Sequence, residues 1–250
     1  MVTVKTAEQI ALMRRAGRVV AEMHESCIAA AKPGATTFDV DLVAREVLER
    51  RNATSNFLNY HGFPAVICTS PNDVIVHGIP SKTVVLDEGD ILSIDCGAII
   101  EGWHGDAAIT VPIGEIDEDS QRLLTVTKAC LDDAIAAIVT GNTLGDIGHA
   151  VESRALAADF SVVREYVGHG IGTAMHEEPQ VPNYGVPGKG MRLKPGHVLA
   201  IEPMINIGTQ ETQVLSDGWT VVTRDGQRSA HFEHSIACTE NGPEVLTRLG

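Results

Sequence analysis

The stretch Ile91-Leu-Ser-Ile-Asp95-Cys-Gly-Ala-Ile-Ile-Glu-Gly-Trp-His-Gly-Asp106-Ala-Ala-Ile-Thr110 decides the fold of this chain. It is typical of two short strands joined by a glycine-containing turn around residues 101–105. Alternation predicts one shared face in each strand: Ser93, Asp95 and Gly97, then Asp106, Ala108 and Thr110. A carboxylate in such a run is costly unless it is hydrogen-bonded, paired or bound to a metal. Two carboxylates on neighbouring strands also repel each other, and a divalent cation between them removes both costs.

Composition narrows the class of protein. The 250 residues are 44% hydrophobic, and 19 basic against 33 acidic residues give a net charge of −14. This charge argues against a nucleic-acid binder or a protein of anionic membranes. The cysteines are odd in number, five in all, and none forms a Cys-x-x-Cys pair, so we expect reduced thiols. With no signal peptide and no apolar run of about 20 residues, the sequence predicts a cytoplasmic protein without a membrane span.

Two helix pairs flank the strands. Thr6-Ala-Glu-Gln9 is a capping box that opens an amphipathic helix, which Lys32-Pro33-Gly34 stops. Thr37 is predicted to cap a second helix that runs to about Arg51. A second pair is predicted over 119–139 and 143–159. The segment 168–196 is rich in Gly and Pro, and its length suggests a functional loop.

The two halves of the chain resemble each other at one offset. Gly34, Thr36 and Asp39 recur 107 positions later as Gly141, Thr143 and Asp146, and residues 89–95 recur at the same offset as 196–202. Random matches would not agree in register. We therefore expect a duplicated helix–helix–strand unit forming one domain over 1–250, with pseudo-repeats of about 6–113 and 114–246. Two independent domains are the alternative, although no linker-like composition separates the halves.

The duplication also predicts a cluster of acidic side chains. It maps Asp95 onto Glu202, so a pseudo-two-fold axis would bring these carboxylates towards one centre. Alternation along 229–237 adds Glu233, and the run Gly168-His169-Gly170-Ile-Gly172 adds a histidine whose glycines allow close backbone approach. Four carboxylates and one imidazole suit two divalent ions such as Mn, Fe, Co or Zn better than a structural zinc.

Seven ordered motifs carry a specific resemblance to a known family. They are Asn72-Asp-Val-Ile-Val-His77-Gly-Ile-Pro80, Ser93-Ile-Asp95, Gly102-Trp-His-Gly-Asp106, Gly168-His169-Gly-Ile-Gly172, His176-Glu-Glu-Pro179, Ile201-Glu202-Pro-Met204 and Phe232-Glu233-His234. From about Thr6 to Leu246 the chain resembles type I methionine aminopeptidases. The resemblance implies the α+β pita-bread fold, in which duplicated helix–helix–strand units form a curved antiparallel sheet with helices outside.

The resemblance also implies roles for residues at matching positions. Asp95, Asp106 and Glu233 would bind one divalent metal ion, and Asp106, His169, Glu202 and Glu233 would bind the other. Glu202 would transfer the proton of the attacking water, His176 would hydrogen-bond the scissile amide, and His77 would contact the substrate backbone. A pocket for the methionine side chain would be lined by Tyr60, Phe63, Cys68, His77, Met175 and Trp219. Carbonyls of Asn72, Val74 and Ser229 would hold a monovalent cation, Na or K.

Two positions depart from the family's pattern. Met175 stands where many members have an aromatic residue, and Gly97 stands where some have Thr. Six other histidines are predicted to be structural or surface residues: His61, His104, His149, His197, His231 and His234.

The resemblance implies an enzyme that removes the initiator methionine from peptides and nascent proteins. It also implies transient ribosome contact, no direct nucleic-acid binding and a monomer. Two alternatives stay open: an X-Pro-cleaving peptidase of the same fold, and a non-catalytic binding module. X-Pro relatives usually add an N-terminal domain, and binding modules lose metal ligands, whereas all five ligand positions are filled here.

Overall fold

A computed structural model describes residues 2–249 of the chain. Its four α-helices are α1 (Ala7–Ala30), α2 (Thr37–Arg50), α3 (Glu118–Ala136) and α4 (Leu144–Ala157). The predicted capping box opens α1, because Thr6 accepts a hydrogen bond from the backbone of Gln9. The cap of α2 is Thr36 rather than the predicted Thr37. Thr36 has an extended backbone, and its side chain accepts from the backbone N–H of Asp39.

The strands are short apart from one central hairpin. They are β1 (Thr54–Ser55), β2 (Ile67–Pro71), β3 (Val74–Val76), β4 (Ile91–Ile100), β5 (Trp103–Pro112), β6 (Ser161–Val162), β7 (Gly168–Gly170), β8 (Glu177–Val181), β9 (Val198–Ile201), β10 (Met204–Asn206), β11 (Thr212–Val214), β12 (Val221–Thr223), β13 (Ser229–His231), β14 (His234–Thr239) and β15 (Gly242–Val245). A 3₁₀ turn spans Tyr60–Gly62. All strand pairs in the sheets are antiparallel.

The opening stretch forms the hairpin β4–β5. Its turn is tighter than predicted, since only Glu101 and Gly102 lie between the strands, with φ of 51° and 78°. Positive φ at both central residues is typical of a two-residue hairpin loop. Asp95 pairs with Ala108, and Gly97 pairs with Asp106. The two aspartates are therefore diagonal neighbours on one face of the sheet, as alternation predicted.

Each half has its own helical layer and core. In the first half α1 and α2 pack on β2, β4 and β5 around Met23, Val47, Ile94 and other buried aliphatic residues. In the second half α3 and α4 cover a core that includes Leu123, Leu199 and Ile236. The sheets of the two halves meet where the N–H of Glu233 donates to the carbonyl of Ala108 at 2.8 Å. The fold is the predicted pita-bread arrangement, with helices outside a curved antiparallel layer.

Backbone contacts repeat at the offset seen in the sequence. Thr36 forms an isolated bridge with Val85, and Thr143 forms one with Arg192, 107 positions later. The N–H of Gly34 donates to Leu86, and the N–H of Gly141 donates to Leu193, again 107 positions later. The sequence repeat thus corresponds to repeated structure at the start of α2 and α4.

The segment 168–196 is irregular, as predicted, except for two short strands. It contains β7 and β8, which join the five-stranded sheet in the order β15-β14-β9-β7-β8. Gly168 and Gly170 allow neighbouring strands to pack closely. A Cβ added at Gly168 would lie 2.4 Å from the carbonyl oxygen of Ala200, and one at Gly170 would lie 2.3 Å from that of Glu178. Only glycine fits such approaches.

Within residues 2–249, no helix is both long and apolar enough to cross a membrane. All five cysteines are buried free thiols, as expected from their spacing.

Candidate metal centre

Two carboxylates come from the central hairpin. Asp106 is 4% exposed, and its backbone is fixed to β14 by a reciprocal pair of bonds with Ser235. The N–H of Asp106 donates to the Ser235 hydroxyl at 3.0 Å, and that hydroxyl donates to the Asp106 carbonyl at 2.8 Å. Asp95 lies diagonally opposite on β4. The β4–β5 register therefore holds both side chains towards the junction of the two halves.

The second half supplies two glutamates. Glu202 follows β9, and Glu233 lies between β13 and β14 with 3% of its surface exposed. The bond from the Glu233 N–H to the Ala108 carbonyl sets Glu233 beside the hairpin. The carbonyl of Glu202 is held by the Asn183 side-chain amide at 3.0 Å. Each half thus contributes two carboxylates to one place, in agreement with the expectation from the duplication.

The histidine of the glycine-rich run joins them. His169 is 7% exposed, and its Nδ1 lies 2.9 Å from the carbonyl oxygen of Gly170. That contact assigns the proton to Nδ1 and leaves Nε2 as a lone-pair donor. Nε2 lies 3.6 Å from an oxygen of Glu202.

Ligand atoms converge in two overlapping sets. Atoms of Asp106, His169 and Glu233 lie within 4.8 Å of one another, and so do atoms of Glu202, His231 and Glu233. Asp95 belongs to neither set, although its negative charge acts on Asp106, Glu202 and Glu233. Glu233 is common to both sets.

Several of these atoms fit a cation better than any protein partner. Among the described residues, Oδ1 of Asp95, Oδ1 of Asp106 and Oε1 of Glu233 are buried without a hydrogen-bond partner. Buried carboxylate oxygens without partners are expensive, and divalent ions satisfy them. Oxygen donors with an imidazole nitrogen are also a set that transition ions accept. The residues present therefore fit a divalent metal centre.

The raised pKa values of the four carboxylates also favour a metal centre. Burial raises the pKa of Asp95 to about 7. Burial, with the negative charges of Asp95 and Glu202, raises the pKa of Asp106 well above its usual range. The pKa values of Glu202 and Glu233 rise for the same reasons. A metal ion bound here would therefore compete with protons for these carboxylates.

A pocket opens above the carboxylates. Its apolar wall contains Phe57, Phe63, Cys68, Met175 and Trp219, and its other lining residues include Tyr60, His77 and His176. The ring centroids of Phe63 and Trp219 are 5.1 Å apart in an edge-to-face arrangement. Burial raises the pKa of the Cys68 thiol well above its usual range, so Cys68 is a neutral wall residue. All six residues predicted for the substrate pocket line this cavity.

His77 and His176, the other two histidines with a role implied by the resemblance, line the same cavity. The ring of His176 lies 4.3 Å from that of His169, and its Nδ1 is 2.8 Å from the Tyr60 hydroxyl. Burial lowers the pKa of His176, with a further contribution from His61. His77 has a φ of 61°, and burial with the nearby His176 lowers its pKa to about 4. Both rings are therefore neutral at pH 7.

Two of the residues predicted to bind a monovalent cation, Asn72 and Ser229, are hydrogen-bonded to each other, and the third, Val74, is close to Asn72 in the chain. The N–H of Ser229 donates to the Asn72 carbonyl at 2.9 Å, and Val74 begins β3 two residues further on. Asn72 has a φ of 52°. The structure places these backbones together, while their role as cation ligands stays a prediction.

Other residues of the cavity were not predicted. Phe57, Val76, Tyr166, Val167 and His231 also line it. His231 was expected to be structural or at the surface; it is 1% exposed and lines the cavity beside Glu202 and Glu233. Alternation could have indicated it, because His231 stands two residues before Glu233 in the run 229–237.

The space at Gly97 is already filled. A Cβ at position 97 would lie 2.6 Å from the Asn56 side-chain nitrogen, which itself donates to the Gly105 carbonyl. The nearby amide of Asn56 also opposes the rise in the pKa of Asp106. Asn56 therefore occupies the place of the side chain that Gly97 lacks.

The chain matches a known family of metallopeptidases over most of its length. Residues 11–240 match metallopeptidase family M24. The chain belongs to this family. A methionine aminopeptidase of Clostridium acetobutylicum is 50% identical over 247 residues, which cover 99% of both chains. Within family M24 the chain therefore groups with the type I methionine aminopeptidases.

Solved structures of family M24 agree. The crystal structure of a methionine aminopeptidase from Thermotoga maritima has a TM-score of 0.98 and 44% identity, and the match covers 100% of both chains. The prolidase from Pyrococcus horikoshii has a TM-score of 0.77 and 18% identity. That match covers 99% of this M24 chain but only 64% of the prolidase. The prolidase likeness concerns the fold alone.

Proposed function

We propose that this chain is a metal-dependent aminopeptidase that removes N-terminal methionine from peptides and nascent proteins. One observation carries the proposal. Four carboxylates and one imidazole, drawn from both halves, form the floor of a pocket whose wall is apolar and aromatic. Full-length similarity to methionine aminopeptidases supports the same activity.

We propose two divalent ions at this floor. Asp95, Asp106 and Glu233 would hold one ion, and Asp106, His169, Glu202 and Glu233 would hold the other. Such a pair lowers the pKa of a water molecule to near 7 and polarises a carbonyl group. The donor set suits Mn, Fe, Co or Zn, and the proposal leaves open which ion is used.

Glu202 is proposed to move the proton. It would accept a proton from the attacking water and pass it to the leaving amine. Its side chain keeps 14% exposure, whereas that of Glu233 keeps 3%. Glu202 is thus the glutamate that remains reachable from the cavity.

His176 is proposed to stabilise the developing oxyanion of the substrate. Because its ring is neutral, it carries one proton. If the Tyr60 hydroxyl donates to Nδ1, that proton sits on Nε2 and can be donated to the substrate. A donor of this kind acts on charge that develops in the transition state. His77 would contact the substrate backbone from the opposite wall.

The pocket wall is proposed to select methionine. Phe63, Met175 and Trp219 offer aromatic and thioether surfaces, and sulfur–aromatic contacts favour a thioether ligand. A neutral Cys68 adds no charge to this wall. A linear apolar side chain is therefore preferred over a charged one.

We further propose one catalytic domain over 1–250, with pseudo-repeats of about 6–113 and 114–246. A Na or K ion at the carbonyls of Asn72, Val74 and Ser229 would fix the β3–β13 junction. We also propose that the protein is cytoplasmic and monomeric. It would contact the ribosome transiently, because its substrates would include nascent chains.

The substrate class is tested by hydrolysis of Met-Gly-Met against Ala-Pro. We expect release of methionine from Met-Gly-Met in Co²⁺ or Mn²⁺, no turnover after chelation, and no hydrolysis of Ala-Pro. Faster hydrolysis of Ala-Pro would favour the X-Pro peptidase alternative. Turnover of neither peptide by fully metal-loaded protein would favour the non-catalytic module.

A further inference from the structure

His231 is a buried imidazole whose backbone is held rigidly at the junction of the halves. It ends β13 and is 1% exposed. Its N–H donates to the Thr110 hydroxyl at 2.9 Å, and that hydroxyl donates to the His231 carbonyl at 2.8 Å. The backbone of His231 is therefore fixed to β5, and its ring lines the cavity.

The ring points at two carboxylates. Nε2 of His231 lies 3.7 Å from Oε2 of Glu202 and 4.0 Å from Oε2 of Glu233. These separations are too long for hydrogen bonds. In the described part of the chain, neither ring nitrogen of His231 has a hydrogen-bond partner.

The distances from Nε2 of His231 to the two glutamate oxygens are close to the distances between ligands of one ion. Ligand atoms bound at about 2.0–2.2 Å in a tetrahedral arrangement are about 3.3–3.6 Å apart. The atoms of Glu202, His231 and Glu233 lie within 4.8 Å of one another, so small side-chain adjustments bring them to that spacing. A cation there would also satisfy an imidazole nitrogen whose burial is otherwise uncompensated.

We propose that His231 is a sixth protein ligand of the metal centre, binding through Nε2 the divalent ion that Glu202 and Glu233 share. The inference rests on the proposed metal-dependent function and adds a second imidazole to the five ligands of that proposal. Two nitrogen donors on one ion shift its preference from Mn²⁺ towards Fe²⁺, Co²⁺ and Zn²⁺.

The test counts imidazole ligands directly. Metal-free protein is loaded with Co²⁺, and proton NMR records the solvent-exchangeable, hyperfine-shifted signals of metal-bound imidazole N–H groups. Wild type should show two such signals, from His169 and His231. His231→Gln should show one. The matched control His149→Gln changes an exposed histidine of α4 and should keep both.

A second readout uses metal affinity without any turnover. Calorimetric titration should show one Co²⁺ site weakened at least about tenfold in His231→Gln, with a smaller loss for Mn²⁺. Thermal unfolding of the metal-free variant checks that it is folded, and His231→Asn serves as a second variant. A single imidazole signal in wild type overturns the proposal, and so does unchanged Co²⁺ affinity in a folded variant.

These outcomes separate this inference from the proposed function. Methionine release by a wild-type protein with one imidazole signal would leave the aminopeptidase proposal standing and refute the role of His231. Two signals without methionine release would do the reverse.

Discussion

Replacing Asp95 with Asn should stabilise the metal-free protein. In the folded state burial raises the pKa of Asp95 from 3.8 to about 7. The folded form therefore keeps its proton between about pH 4 and pH 7, while the unfolded form has already lost it. Since the folded state binds more protons in this window, wild-type stability falls as the pH rises through it, and the loss is complete above pH 7.

The size of the effect follows from that pKa. A rise from 3.8 to about 7 corresponds to a loss of about 4 kcal/mol, at about 1.4 kcal/mol per pH unit. Asn cannot ionise, so Asp95→Asn avoids this loss. For a chain of this length about 1 kcal/mol shifts Tm by about 2 °C. At pH 8 the metal-free variant should melt up to about 8 °C above wild type, and at pH 4 the difference should nearly vanish.

Metal should reverse the order. Ions that bind only the folded state stabilise it, and the variant lacks one charged ligand. Thermal unfolding is measured from pH 4 to pH 8 in chelator, and at pH 8 in excess Mn²⁺ or Co²⁺. Equal melting of both metal-free proteins at pH 8 would refute the burial argument. An equal rise in Tm with metal would remove Asp95 from the ligands.

Three further substitutions probe the cavity. His176→Ala should keep the fold and metal content but lower kcat by about 10²–10³; a loss under about threefold would remove its proposed role. Tyr60→Phe loses the 2.8 Å contact to His176, and a neutral hydrogen bond of about 0.5–1.5 kcal/mol predicts a two- to tenfold lower kcat with KM little changed. An unchanged kcat would show that Tyr60 does not orient the ring. Trp219→Ala should raise KM for methionine peptides by about 5–30-fold, equivalent to about 1–2 kcal/mol of binding, with a smaller effect on kcat; an unchanged KM would make Trp219 a packing residue only.

The sequence predicted the fold well because its decisive signals are local or periodic. Alternation in β4 and β5 set the faces of Asp95 and Asp106, and the confirmed register follows from it. The repeat predicted a duplicated helix–helix–strand unit, and the bridges of Thr36 and Thr143 reproduce its offset. The one-residue error at the cap of α2 arose because adjacent threonines have the same capping chemistry. Only backbone conformation distinguishes them.

The two strands within the segment 168–196 could not be predicted from composition. Glycine and proline usually punctuate strands, yet Gly168 and Gly170 lie within β7, where neighbouring carbonyls leave no room for a Cβ. That requirement depends on β8 and β9, which are distant in the sequence. Composition alone does not contain it.

The residues predicted for the metal centre and the substrate pocket were chosen from the sequence, which missed five other residues that line the same cavity. The structure brings the five predicted ligands and the six pocket residues to one cavity, and their roles remain predictions. His231 was assigned with the structural or surface histidines. Its position depends on β13 meeting β5 through Thr110, a contact between the two halves.

The most direct test of the proposed function is release of free methionine from Met-Gly-Met during titration of metal-free protein with Co²⁺ or Mn²⁺, for wild type and Glu202→Gln. We expect no release without metal and a rise in rate as ions are added to wild type. The rate of Glu202→Gln should be at least about 10²-fold lower, since a positioned acid–base residue contributes about 10²–10⁴-fold. Full activity in chelator, or a variant within threefold of wild type at saturating metal, would contradict the account.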